Sequence, residues 1–146
     1  MIDPNQEMDL RSGIAAFEAK HFSRAAQLLS PLADAGNSDA QYRMAIMLQN
    51  GLGMAVDAKR SYAYMKQAAE SGFSLAEHGL GFMLLEGECT AADPAAAALW
   101  FERAAEQGLV GSMTTLAMMY RDGNGVAPDA EKASHWFKRA GFDDLN

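Results

Sequence analysis

The sequence predicts an all-α fold, a solenoid of about four helix-turn-helix repeats, and three observations carry that expectation. Asp57, Asp93 and Asp129 stand 36 residues apart, as do the ring-bearing Tyr64, Trp100 and Trp136, the small Ala68, Ala104 and Ala140, and the loop glycines Gly51, Gly87 and Gly123. Between these markers the apolar residues recur with helical spacing. Capping residues stand where such helices would begin, and glycines where they would end. A recurrence of this length, in register over apolar and turn positions alike, marks stacked repeats instead of one closed core. The expected organisation is one repeat domain, 1–146, with an atypical first unit at 8–36 and full units at 38–72, 74–108 and 110–142.

The first unit is a shortened version of the others. Gly13, Phe17, Ala25, Leu29, Leu32 and Gly36 echo the later pattern, while Lys20, His21 and Phe22 leave room only for a tight turn. An atypical terminal unit is what a stack needs, because its outer face has no neighbour. In the full units the first helix opens at Ser38, three residues before Gln41, and at Ser74, three before Glu77, both capping-box spacings. Val110 occupies that place in the last unit, so Ser112 becomes the expected cap.

The first helices carry Ala40, Met44, Ala45 and Leu48, then Ala76, Leu80, Gly81 and Leu84, then Ser112, Leu116, Ala117 and Tyr120, each set on one helical face. The small residue in each set leaves room for a neighbouring helix, and Gly81, which costs about 1 kcal/mol of helix propensity relative to Ala, marks the tightest approach. After each loop an Asp is placed to cap the second helix, with Pro94 at the first helical position where its missing amide is harmless. The second helices end at Gly72 and Gly108. Phe142 to Asn146 is too short to form a covering helix, which leaves the carboxyl-terminal end of the stack open.

Composition excludes several classes of function. A formal charge of −7 opposes non-specific nucleic-acid binding, and the basic Lys132, Lys138 and Arg139 are surrounded by Glu131, Asp143 and Asp144. No apolar run is long enough to span a bilayer, and the acidic opening MIDPNQEMDL lacks the features of a secretory leader, so no membrane insertion and a cytoplasmic location are expected. Cys89 is the only cysteine, which rules out an internal disulfide and a multi-thiolate metal site within one chain. Its neighbours Glu86 and Glu88 disfavour a reactive thiolate, although oxidation to a linked dimer is a possible use of a loop thiol.

The chemistry-bearing side chains form no recognisable catalytic set. His21, His78 and His135 lack zinc-protease spacing and any Ser-His-Asp signature, and the glycine loops lack the Lys-Ser pair of a phosphate loop. No catalytic residue, metal ligand or cofactor is assigned. Of the ten methionines most are assigned to the core, Met44 by its register, whereas Met118 falls on a different face of its helix.

The run from Thr114 to Gly141, TTLAMMYRDGNGVAPDAEKASHWFKRAG, resembles the Sel1-like repeat, a relative of the tetratricopeptide repeat. The residues that carry the resemblance are Leu116, Ala117, Tyr120, Gly123, Gly125, Val126, Asp129, Lys132, Ala133, Trp136, Phe137 and Ala140. The preceding unit adds Trp100, Phe101, Ala104, Ala105, Glu106 and Gly108. Likeness extends from Asp39 to Gly141, with Cys89 in place of the second loop glycine and Met65 in place of an aromatic. It implies a right-handed α-solenoid and the role of an adaptor or scaffold rather than an enzyme. Cysteine-rich secreted members are a poor match to a chain with one thiol.

In such stacks the first helices line the concave side, and the residues that follow the small anchors Gly13, Ala45, Gly81 and Ala117 are Ile14, Ile46, Phe82 and Met118. Three positions before the anchors stand Leu10, Tyr42, His78 and Thr114, and four after them come Phe17, Gln49, Leu85 and Arg121. The expected partner-binding residues are therefore Leu10, Ile14, Tyr42, Ile46, Gln49, His78, Phe82, Leu85, Thr114, Met118 and Arg121. A protein or peptide, an amphipathic helix or an extended segment, is the expected ligand. Self-association through the same groove or the open end, giving a homodimer, is the alternative.

Overall fold

The computed structural model describes residues 3–142, and these form eight helices with no strand. They fall into two compact units, Met1–Phe73 and Ser74–Asn146. The first unit holds α1 (Pro4–Glu18), α2 (Phe22–Asp34), α3 (Ser38–Asn50) and α4 (Ala58–Glu70). The second holds α5 (Ser74–Glu86), α6 (Pro94–Glu106), α7 (Val110–Asp122) and α8 (Ala130–Arg139). Within each unit the helices pair as antiparallel hairpins, α1 with α2, α3 with α4, α5 with α6 and α7 with α8, and α2 packs on α3 as α6 does on α7. The short carboxyl-terminal stretch 143–146, expected to leave the stack open, lies outside the described residues.

The recurring aspartate explains why every long loop closes in the same way. Its carboxylate accepts from an amide three residues on, Arg60 for Asp57, Ala96 for Asp93 and Lys132 for Asp129, at 3.0–3.2 Å. Its own amide donates backwards to the end of the first helix, to the carbonyls of Leu48, Leu84 and Tyr120 at 2.9, 2.7 and 2.9 Å. One residue thus starts the second helix and ties it to the first, answering amides and carbonyls that helix ends otherwise leave unsatisfied.

The first-helix starts differ from expectation. Asn37, not Ser38, caps α3, its side chain accepting from the Ala40 amide at 2.9 Å. Gln41 and Glu77 turn away from those helix starts and are buried, with 3% and 4% of their surface exposed. The Gln41 amide group donates to the Ala33 carbonyl and to Gln67 Oε1, while Glu77 accepts from the Gln107 amide group. Burial is the main cause that raises the Glu77 pKa. Ser112 is not a cap either: Leu109 stands at the N-cap of α7 without a side-chain bond, and Ser112 is wholly buried. Upstream, α1 has a capping box that pairs Asp3 with Gln6, which extends the first helix back to Pro4.

Close approach of the two helices in a hairpin follows from the small anchors. A Cβ on Gly81 would lie 2.8 Å from the ring of Phe101, so α6 sits against α5 at a distance that no larger residue permits. At the equivalent Ala45 the Ser61 hydroxyl, wholly buried on α4, donates to the Ala45 carbonyl at 2.7 Å. Met44, Met47, Leu48 and Met65 fill the core of the first unit, and Met83, Phe101, Leu116 and Met119 that of the second. Flexible thioethers fill the irregular gaps between helices.

Candidate functional site

The residues that follow the small anchors occupy a partly exposed shoulder of each first helix. Helical geometry turns each successive side chain by about 100°, so Ala117 is wholly buried while Met118 keeps 39% of its surface exposed. None of the eleven expected binding residues is buried. Leu10, Ile14, Tyr42, Ile46, Gln49, His78, Phe82, Leu85 and Thr114 are half-buried, and Met118 and Arg121 are exposed.

In the first unit α1 contributes Leu10 and Ile14, and α3 contributes Tyr42, Ile46 and Gln49; the two helices pack directly on one another. The Tyr42 ring lies 5.6 Å from that of Phe73, and burial is the main cause raising its phenol pKa. Between the helices Arg43 lies 5.1 Å over the Phe17 ring and is bonded to Asp39 at 2.7 Å. Arg43 was not among the expected residues, and its spacing of four from Asp39 was the available signal.

In the second unit the structure brings His78 and Phe82 together with Phe101, which was named for the family resemblance and not among the expected binding residues. The ring centroids of His78 and Phe82 are 4.9 Å apart, those of Phe82 and Phe101 5.0 Å, and those of His78 and Phe101 5.6 Å, all edge to face. His78 Nδ1 lies 2.6 Å from Ser112 Oγ. Burial lowers the His78 pKa and so favours the neutral ring. The signal for this pair is a double departure: His78 stands in the column of Tyr42 and Thr114, and Ser112 in the column of Ala40 and Ala76.

Farther along the same helices, Leu85 and Met118 line an open cavity of about 150 Å³ with Thr115, Met119, Asp122 and Asn124. The Arg121 guanidinium donates to Asp122 at 3.0 and 3.3 Å, and these hydrogen bonds hold the Asp122 pKa down. Arg121 is thus paired within its own helix. The Thr114 hydroxyl donates to the Val110 carbonyl at 3.1 Å. Among the described residues no group of three or more His, Cys, Asp or Glu side chains is placed to hold a metal ion, and no helix is long and apolar enough to cross a membrane.

The repeat architecture matches known proteins. Over 90% of this chain and 53% of the other, the structure is similar to a Sel1 repeat protein from Oxalobacter formigenes, with 26% identity and a TM-score of 0.86. It is also similar to c5321, a protective antigen of uropathogenic Escherichia coli that displays an SLR fold, with 26% identity, 92% and 30% coverage, and a TM-score of 0.87. The chain therefore spans about half of one relative and under a third of the other. Helicobacter pylori cysteine rich protein B shares the fold at 16% identity and a TM-score of 0.65, over 86% of this chain and 90% of that one. No curated protein sequence matches the chain. The Sel1 repeat family model matches residues 38–73, 74–109 and 111–141, the same three stretches in which the Asp cap, the small anchor and the left-handed loop recur. By those three matches, which cover well over half its length, the chain belongs to the Sel1 repeat family.

Proposed function

We propose that this protein is an adaptor that recognises a peptide or protein partner on the exposed shoulders of its first helices, without chemistry of its own. The observation that carries this reading is the contrast between neighbours in each first helix. Gly13, Ala45, Gly81 and Ala117 are buried, while Ile14, Ile46, Phe82 and Met118, each one residue on, keep apolar surface towards solvent. Apolar surface presented at a regular interval is a common mark of a binding face. Family membership supports the same reading, since Sel1 repeat proteins generally mediate protein–protein interaction.

Met118→Glu is the substitution that tests it best, because Met118 is exposed whereas Phe82 is packed edge-on against Phe101. Proteins captured from native cells by the wild type, Ile46→Glu and Met118→Glu are compared by mass spectrometry, with light scattering over a range of concentrations. The expected outcome is a specific partner lost in the variants while helicity and melting stay the same. Partners retained by both variants would overturn the assignment of this face. Concentration-dependent growth in mass that disappears in the variants would replace the adaptor reading by self-association.

A further inference from the structure

We infer that the cavity between α5 and α7 is an anchor pocket for a basic peptide segment, one large aliphatic side chain entering it with Lys or Arg beside that residue. This rests on the adaptor reading above and specifies the partner's chemistry. Leu85, Met118 and Met119 give the cavity apolar walls, and its volume of about 150 Å³ is far below the ~300–1,000 Å³ of sites that enclose a small-molecule ligand. Such a space accepts one side chain. Met118 is exposed at its mouth and, being unbranched, reshapes around different aliphatic guests.

Charge complementarity identifies what flanks that side chain. Residues 74–146 carry eleven Asp and Glu against five Lys and Arg, a net of −6, whereas residues 1–73 carry −1. The cavity lies at the carboxyl-terminal ends of α5 and α7, where the helix dipoles add partial negative charge. Glu86, the last residue of α5, is exposed and directly follows Leu85 of the cavity wall, while Asp122, the last residue of α7, lines the cavity with its charge shared with Arg121. Arg121, the basic residue at this end of α7, is held by Asp122, and Lys132 lies over the Tyr120 ring at 5.2 Å. An aliphatic anchor with an adjacent cation satisfies both the walls and the rim. An acidic segment would meet like charge at Glu86 and at both helix ends.

A phage-displayed library of random dodecapeptides, selected against the full chain at low salt, tests the assignment. The expected consensus is Leu, Ile or Met beside Lys or Arg. The best synthetic peptide should bind at least tenfold more weakly to Met118→Arg, and several-fold more weakly to Glu86→Lys, a substitution at an exposed position. Its affinity should fall as salt rises. Enriched peptides that are acidic or lack an aliphatic residue, yet are lost in Ile46→Glu and Met118→Glu, would overturn the pocket while leaving the docking face in place. Peptides indifferent to all of these substitutions, or no enrichment at all, would overturn both.

Discussion

His78 and Ser112 form a hydrogen-bonded pair, 2.6 Å between Nδ1 and Oγ, that ties the start of α5 to the start of α7 beside the Phe82–Phe101 contact. Ser112 stands where the other full units have a buried Ala, so its hydroxyl is accommodated only because the ring reaches it. Ser112→Ala should cost about 1–2 kcal/mol, since it restores the column's residue but leaves a ring nitrogen without its partner. Chemical denaturation would measure the loss. A double-mutant cycle with His78→Gln should return a coupling energy, and strictly additive effects would show that the pair is not one interaction.

The same pair should make the second unit sensitive to acid. Burial holds the folded pKa of His78 below its ordinary value of 6.5, so its contribution is complete above the unfolded pKa and is lost as pH falls through the lower folded one. Glu77 works in the opposite sense. Its folded pKa is raised by burial, so it favours the folded state at low pH and loses that contribution as pH rises through the raised value. In a Glu77→Gln background the melting temperature should fall between pH 7.5 and pH 5, and His78→Gln should flatten that decline. A decline of equal size in both backgrounds would assign it to other groups.

Gly81→Ala should destabilise the chain although it improves helix propensity. The added methyl would lie 2.8 Å from the ring of Phe101, which is wholly buried. Overpacking of this kind costs about 1–3 kcal/mol, against about 1 kcal/mol gained from propensity. A net loss of about 1 kcal/mol in denaturant unfolding is expected. A gain in stability would mean that α5 and α6 separate more easily than their packing implies.

Cys89 departs from the repeat in the other direction. It holds φ +65° in the column where Gly53 and Gly125 hold +72° and +75°. A side chain in this left-handed region costs about 1–2 kcal/mol, of which glycine's greater freedom in the unfolded chain takes back part. Cys89→Gly should therefore raise stability by up to about 1 kcal/mol, which calorimetry would detect, and it also removes the only thiol. Unchanged or lower stability would show that the thiol's own packing outweighs the backbone strain.

The helices and their order were legible because the 36-residue period repeats both the apolar register and the turn chemistry; Asp93 and Gly81 occupy the roles that their columns predict. What stayed hidden depended on side chains from separate helices meeting. Gln41 and Glu77 have the spacing of a capping box, yet partners on neighbouring helices draw them into the interior, and local spacing does not disclose that competition. Ser112 is the same lesson with the opposite sign, a plausible local cap withdrawn from the helix start by His78. For the proposed docking row the sequence indicated residues that the fold leaves at least partly exposed, but not that Phe82 is braced by Phe101 or that Arg121 is held by Asp122.

The bonds between hairpin elements also set how the chain reaches this structure. Gln41 to Gln67, Tyr64 to Asp34, Glu77 to Gln107 and His78 to Ser112 span 26, 30, 30 and 34 residues, each less than one repeat. No such bond waits for a distant part of the chain to arrive. Low sequence separation of this kind shortens the conformational search. During synthesis, amino-terminal hairpins can therefore settle while later ones are still being made, and within each unit the first hairpin offers the second a template on which to pack.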